Sequence, residues 1–458
     1  MTDLLDQSAT AQIKALREGA LSARELMSAT LDRIEKRNPA VNAIVALQDR
    51  DLLLQAADNA PDGPLKGLPI AVKDLAETKG ITTTYGSPIF ANHVPAADNP
   101  MVAKMRAAGA VVIGKTNTPE WGLGSHSYNP VYGVTRNSYD TTKSAGGSSG
   151  GAAVALATRM TALADGSDMM GSLRNPAGWN NVFGFRPSYG LVPNAGPGED
   201  FLHQLSTNGP IARTLEDLEL LLDVQAAYDP SHPHSIGPYA PTGMLKPLRI
   251  GWLADWGGAY PMEDRVCTLC ETACTVLADL GHTVVAMDPP FSAAALWDSW
   301  VTLRNWAVAA KFRPLYEDPS KRDLLKPEAI WEIERGLALT PTAISKASEI
   351  RSDWFRKTVK MDVDVLALPS AQLFPFDAAL DWPKEIAGTQ LDTYHRWMEV
   401  VVPASLTGLP ALSVPAGFGP DGTPMGLQLI MHRGRDAEVL ALGKAYEQAT
   451  DWISRAPD

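Results

Sequence analysis

Two serines stand in glycine-rich or turn-forming surroundings. Ser148 lies within Gly146-Gly147-Ser148-Ser149-Gly150-Gly151, and Ser172 closes Asp168-Met169-Met170-Gly171-Ser172. Upstream, the apolar run Gly67-Leu68-Pro69-Ile70-Ala71-Val72 ends in a single lysine, Lys73, followed by Asp74. A serine hydroxyl is a weak nucleophile until a neighbouring base takes its proton. A lysine buried at a strand end is one such base, because desolvation disfavours the ammonium and leaves a neutral amine. Taken singly, a strand-end lysine is more often exposed, so Lys73 acquires meaning only with the serines.

Two other patterns suggest different chemistry. Gly109, Gly114, Lys115 and Thr116 satisfy G-x-x-x-x-G-K-T, the phosphate loop of a nucleotide-binding protein. That loop needs a flexible turn and a helix starting at Lys-Thr, whereas Ala-Val-Val-Ile between the glycines reads as a strand and Pro119 opposes a helix at Thr118. The loop around Ser148 also contains G-x-S-x-G twice, which imitates the nucleophile elbow of α/β-hydrolases. That fold requires an acid and a histidine later in the chain, and none of His203, His232, His234, His282, His395 and His432 sits in a setting that marks it as a base.

Secondary structure must bring these residues together. A capping box at Ser22 and Glu25 lies within an N-terminal helical segment from about residue 8 to 37. Short apolar segments at Leu68–Val72, Ala110–Ile113 and Thr161–Ala164 alternate with helical stretches, and Thr214 with Asp217 caps a further helix. The Pro- and Gly-rich stretch Tyr228–Pro247 reads as a linker. A strand at Leu248–Leu253, a helix at Asp264–Leu280 and a strand at Thr283–Met287 form a βαβ unit. Strands are also expected at Val365–Leu368, Ala411–Pro415 and Gly426–Met431, ahead of a helix at Asp436–Ala449. The fold class is therefore α/β, with a large mixed, mainly parallel sheet covered by helices on both faces. A single domain over 1–458 is expected, its chemistry in a core of 65–215. A helical, Trp-rich subregion at about 290–360 is placed to cap a substrate pocket. Trp297, Trp300, Trp306, Trp331, Trp354, Trp382 and Trp397 cluster in or after it, and each taken singly reads as a core side chain.

Composition narrows the partners. With 458 residues, 45% hydrophobic and 20% charged, the chain can bury a large core. A net charge of −12 offers no basic face to nucleic acid or anionic lipid. No run of about 18 apolar residues occurs, and the acidic start does not resemble a secretory signal, so a cytoplasmic location is expected. The three cysteines, Cys267, Cys270 and Cys274, recur at helical intervals with Val266, Ala273 and Leu277. They read as one buried stripe rather than a metal site, since no fourth ligand lies nearby.

Taken in order, several segments resemble the amidase signature family. They are Gly67 to Asp74, GAVVIGKTNTPEWG from Gly109, the loop at Ser148, GSDMMGSLR from Gly166, GFRPSYG from Gly184, GPIART from Gly209 and LTGLPALSVPAGF from Leu406. The resemblance implies a Ser-cisSer-Lys triad of Ser172 as nucleophile, Ser148 as proton shuttle behind a cis peptide bond, and Lys73 as base. It implies hydrolysis of a carbon–nitrogen acyl bond through an acyl-enzyme on Ser172, with amides, aryl amides, carbamates and esters as substrates. An oxyanion hole from the backbone N–H groups of Met169, Met170, Gly171 and Ser172 is expected, with Ser149, Asp168 and Arg174 in support. The family's D-x-G-G-S here reads Asp168-Met169-Met170-Gly171-Ser172, so Met170 replaces a glycine. A positive φ there would strain the turn; otherwise the side chain narrows the acyl pocket. No metal or cofactor is expected, and the protein is expected to act as a monomer or homodimer. The alternatives are the glutamine-hydrolysing, glutaminase-type subunit of a tRNA amidotransferase, a nucleotide-binding protein using Gly109–Thr116, and an inactive binding module.

Overall fold

The computed structural model describes residues 4–194, 199–243 and 246–457. An N-terminal pair of helices, Ala9–Arg17 and Ala23–Val41, covers one side of the core. The expected continuous helical segment divides at Gly19, which takes a positive φ, and restarts at the Ser22–Glu25 capping box. Behind it lies a three-stranded sheet in the order Ile44–Val45, Val111–Thr116, Pro69–Lys73. Its last two strands are parallel and end together at Lys73 and Thr116.

An eight-stranded sheet forms the body of the molecule. Its strands follow the order Thr283–Ala286, Arg249–Trp252, Val365–Pro369, Pro424–Ile430, Ala411–Phe418, Phe183–Arg186, Thr207–Ala212, Leu163–Asp168. The first three are parallel, and the first two of them are joined in the βαβ unit whose helix is Val266–Asp279. From the third strand onward each neighbouring pair is antiparallel, although Ala411–Phe418 and Thr207–Ala212 point the same way as the first three. The sheet is mixed as expected, and five of eight strands share one direction. Its parallel ladders, however, are confined to one edge, because tight reversals such as Phe418 to Pro424 build antiparallel neighbours.

Helices cover both faces. Ser413 and Gln428 are paired across two strands on one face, where Arg174 of the helix Arg174–Trp179 reaches Gln428 Oε1 at 2.6 Å. On the other face Leu412 lies against Gly443 of the helix Asp436–Gln448, where a Cβ would meet Leu412 Cδ2 at 2.4 Å. Such strands are buried on both sides, which explains runs such as Val365–Pro369 without polar alternation.

The expected helical, Trp-rich region is four helices, Ala293–Glu317, the short Pro319–Arg322, Pro327–Leu337 and Pro341–Val359. Trp297, Trp300, Trp354 and Trp397 are buried, in keeping with core anchors. Cys270 and Cys274 are likewise buried on the inner side of their helix. The stretch Tyr228–Pro247 is irregular chain leading from the helix Leu215–Gln225 to the strand Arg249–Trp252; Met244 and Leu245 of it lie outside the described residues.

Candidate active site

Lys73 ends its strand 1% exposed, at the junction of the two sheets. Its backbone N–H donates to Asp165 Oδ1 at 3.1 Å, which fastens the small sheet to the edge strand Leu163–Asp168 of the large one. Its Nζ donates to Ser148 Oγ and Ser149 Oγ, both at 2.8 Å, to Ser167 Oγ at 3.1 Å and to Ser167 O at 3.3 Å. Burial pushes the Lys73 ammonium down to about 7, against the pull of the nearby Asp165 and Asp168 carboxylates. Burial raises the Asp165 carboxyl.

Ser148 follows a cis Gly147–Ser148 peptide bond, the linkage that the family resemblance implied. The helix Gly150–Ala157 starts directly after Ser149 and is buried throughout. Its glycines permit this approach: a Cβ on Gly151 would lie 2.4 Å from Asn117 N. The serine loop is thereby pressed onto the strand end that carries Lys73.

Ser172 enters through the main chain, its carbonyl accepting from Ser149 N–H at 3.3 Å. Among the described residues no hydrogen bond joins the Ser148 and Ser172 hydroxyls, so the resting network links Lys73 to Ser148 and stops short of Ser172. Ser172 sits 5% exposed at the end of a turn braced from below. Asp168 accepts from Gly171 N–H at 2.9 Å, Leu173 N–H at 3.2 Å, Arg174 Nε at 3.0 Å and Arg186 Nη1 at 3.0 Å. Burial would raise the Asp168 carboxyl, but the Arg174 and Arg186 guanidinium groups hold it well below the usual carboxylate range. Arg174 is fixed in turn by Ser405 Oγ at 2.8 Å and Val401 O at 3.2 Å.

This bracing revises the expected oxyanion hole. The Gly171 N–H is committed to Asp168, which leaves the N–H groups of Met169, Met170 and Ser172 without a partner among the described residues. The positive φ of the turn falls on Gly171, at +77°, and not on Met170. A Cβ on Gly171 would also meet Val401 Cγ2 at 2.9 Å. Met170 is therefore free of that strain, and its side chain is buried in the hydrophobic core, 2% exposed. Met169 is half-buried, and its sulfur accepts from Arg304 Nη1 at 3.3 Å. Arg304 lies in the helix Ala293–Glu317 and pairs with Glu332 of the helix Pro327–Leu337 at 2.9 Å, while Tyr394 Oη accepts from Arg304 Nη2 at 2.9 Å. The Trp-rich helices thus touch the serine turn itself.

The decoy patterns resolve in the same geometry. The strand Val111–Thr116 runs through Gly114-Lys115-Thr116, and Lys115 is fully buried, with Nζ donating to Ala76 O at 2.6 Å and Thr78 Oγ1 at 2.8 Å. That is a strand end and not a phosphate loop. Sequence reasoning missed Asp165, Ser167, Arg186, Ser405 and Gln428. Arg186 and Ser405 lie in or beside stretches that carried the resemblance, GFRPSYG and LTGLPALSVPAGF, which was the available signal.

The family model named Amidase matches residues 25–440, and the chain belongs to that family. It is a hydrolase acting on carbon–nitrogen bonds other than peptide bonds. An acylamidase of Rhodococcus erythropolis is 31% identical, with 98% of this chain and 97% of the relative covered. A glutamyl-tRNA(Gln) amidotransferase subunit from Chloroflexus aurantiacus is 33% identical over 100% of this chain and 99% of the relative. A bacterial aryl acylamidase structure superposes with a TM-score of 0.88 at 27% identity, covering 98% of this chain and 97% of that one.

Proposed function

We propose that the chain is a stand-alone amidase for amides with an apolar or aromatic group, working through an acyl-enzyme on Ser172. The observation that carries this reading is a fully buried Lys73, its amine near neutrality at pH 7, set 2.8 Å from Ser148 Oγ. In its neutral form Nζ accepts the Ser148 proton while Ser148 Oγ takes the proton of Ser172. Ser172 Oγ bonds to the substrate carbonyl carbon, and the carbonyl oxygen becomes an oxyanion facing the open N–H groups of Met169, Met170 and Ser172. Each such donor is worth about 3–4 kcal/mol in comparable sites. The carbon–nitrogen bond then breaks, and the proton held by Lys73 returns through Ser148 to the departing nitrogen. Water follows the same path in reverse roles, releasing the acid and regenerating the Ser172 hydroxyl. The hydroxyl link from Ser172 to Ser148 closes when substrate excludes water, as apo catalytic hydrogen bonds commonly do.

The helices Ala293–Glu317 and Pro327–Leu337 form the cap of the pocket, and Met169 supplies an adaptable wall to the acyl side. The acylamidase and aryl acylamidase relatives support amides and anilides as substrates, with carbamates and esters as slower ones. The free thiols of Cys267, Cys270 and Cys274 suit a cytoplasmic enzyme, acting as a monomer or homodimer without cofactor. The amidotransferase relative favours a second reading, a glutaminase subunit that needs partner chains.

Labelling with a fluorophosphonate followed by mass spectrometry tests the assignment. The adduct is expected on Ser172, with Ser172→Ala unlabelled and inactive; an adduct on Ser148 or Ser149 sinks it. A panel of anilides, primary amides, carbamates and esters, run on the purified chain alone and compared with glutamine, separates the two readings.

A further inference from the structure

The entry to the Ser148 loop is held by a series of hydrogen bonds that has a single permissible direction. The carbonyl of Ala378 only accepts, so His126 Nε2, 3.2 Å away, carries the ring proton. The other nitrogen of a neutral ring is then a bare acceptor, and Nδ1 takes the Ser144 hydroxyl proton at 2.7 Å. With its own proton committed, Ser144 Oγ accepts from the Gly146 N–H at 3.1 Å. His126 is 3% exposed and Ser144 fully buried, so water does not compete for these groups. Burial pushes the His126 ring down to about 4, which keeps it in the neutral form the series requires.

The neighbours of His126 grip the same loop. Ser127 N–H and Ser127 Oγ both donate to Gly146 O, at 3.1 and 2.9 Å, and Ser127 Oγ accepts from Gly150 N–H at 3.1 Å. The loop passes so close that a Cβ on Gly147 would lie 3.0 Å from the Ser125 carbonyl carbon. On the far side Phe376 O accepts from Ser144 N–H at 2.7 Å, and the Phe376 ring stands edge-on to His126 at 5.3 Å.

We propose that His126 is a positioning residue for the hydrolysis: through Ser144 it fixes the main chain of Gly146, and with it the Gly147–Ser148 linkage that presents Ser148 Oγ to Lys73 Nζ. The inference rests on the reading of Ser148 as the proton shuttle. It assigns His126 no contact with substrate; its effect is on how well the Ser148 hydroxyl is placed for proton transfer.

Four variants test it. His126→Asn keeps an acceptor where Nδ1 stands, His126→Gln keeps a donor where Nε2 stands, His126→Phe keeps neither, and Ser144→Ala removes the middle of the series. For an anilide substrate, His126→Phe and Ser144→Ala are expected to lower kcat by about 10- to 100-fold with KM changed less than about threefold, the pattern of a misplaced group rather than lost binding. His126→Asn recovers most of that loss and His126→Gln does not. The double variant His126→Phe/Ser144→Ala is no slower than the worse single one, because both break one series. Fluorophosphonate labelling of Ser172 slows in parallel with kcat. Melting curves and near-UV circular dichroism establish which variants are folded, and should His126→Phe not fold, Ser144→Ala and the Asn–Gln pair decide. Unchanged kcat in folded His126→Phe or Ser144→Ala overturns the proposal, as do rescue by Gln instead of Asn and losses that simply multiply. Wild-type protein labelled elsewhere than Ser172 overturns the triad reading instead.

Discussion

At the scale of the residue, the buried Lys73 bears on both the proposed chemistry and stability. On the proposed mechanism its neutral amine is the active form, so kcat/KM is expected to rise with pH through an apparent pKa near 7. A profile flat from pH 5.5 to 8.5 would remove Lys73 as the base. The same burial has a thermodynamic sign. Folding lowers the pKa from 10.5 to about 7, so the desolvation penalty is fully present below about 7 and is relieved as pH rises toward 10.5. Lys73→Met is therefore expected to be inactive yet to melt a few degrees higher at pH 6, with the difference shrinking toward pH 10. The two methionines of the serine turn separate in the same manner. Met170→Gly is expected to cost about 2–5 kcal/mol of stability by emptying a core site, without altering substrate preference. Met169→Ala alters the ratio of anilide to primary amide turnover and leaves stability nearly unchanged. Lys73, Ser148 and Ser172 stood out as candidates through the ordered segments that resemble the amidase signature family, and the fold brings Lys73 Nζ to 2.8 Å from Ser148 Oγ. Asp165 and Ser167 were not legible, since an acidic residue and a serine on an edge strand carry no mark of what the fold places opposite them.

At the scale of the element, the serine turn is held by a buried ionic cluster. Asp168, Arg174 and Arg186 are each fully buried, and both guanidinium groups pair with the one carboxylate. Removing one member of such a group leaves an uncompensated charge, so Asp168→Asn is expected to cost about 3–5 kcal/mol in urea denaturation. Asn keeps one acceptor oxygen and cannot serve both the Gly171 and the Leu173 N–H groups, so the turn loosens and kcat is expected to fall beyond what lost stability explains, which comparison at a temperature well below both melting points detects. The expected Asp168–Arg174 brace was readable because the two residues flank one turn. Arg186 was not, because its approach depends on the strand Phe183–Arg186 lying two strands from Leu163–Asp168 with Thr207–Ala212 between them. Element types were likewise clear where periodicity was long, as in the helix Val266–Asp279. Strand direction was not, since burial on both faces erases the alternation that tells antiparallel from parallel sheets.

At the scale of the whole molecule, both ends of the described chain are tied to its middle. Asp217 accepts from the Ala9 and Thr10 N–H groups at 2.8 and 2.9 Å, serving the start of the first helix from a position deep in the sequence. Asp217→Ala is expected to cost about 1–2 kcal/mol, read as earlier unfolding in urea, with kcat unaffected in the folded enzyme. Near the other end, Asn181 Nδ2 donates to Trp452 O at 2.6 Å and Tyr139 Oη to Arg455 O at 2.7 Å. The junction at Lys73 matters most at this scale. The amine comes from the small sheet, Ser172 from the turn after the edge strand of the large one, and Ser148 from the loop packed between the two. On the proposed mechanism, a polypeptide that stops before Ser148 holds an amine without a hydroxyl to deprotonate. Half-made copies are then expected to be chemically mute, and the appearance of turnover during refolding would report that distant parts of the chain have found each other.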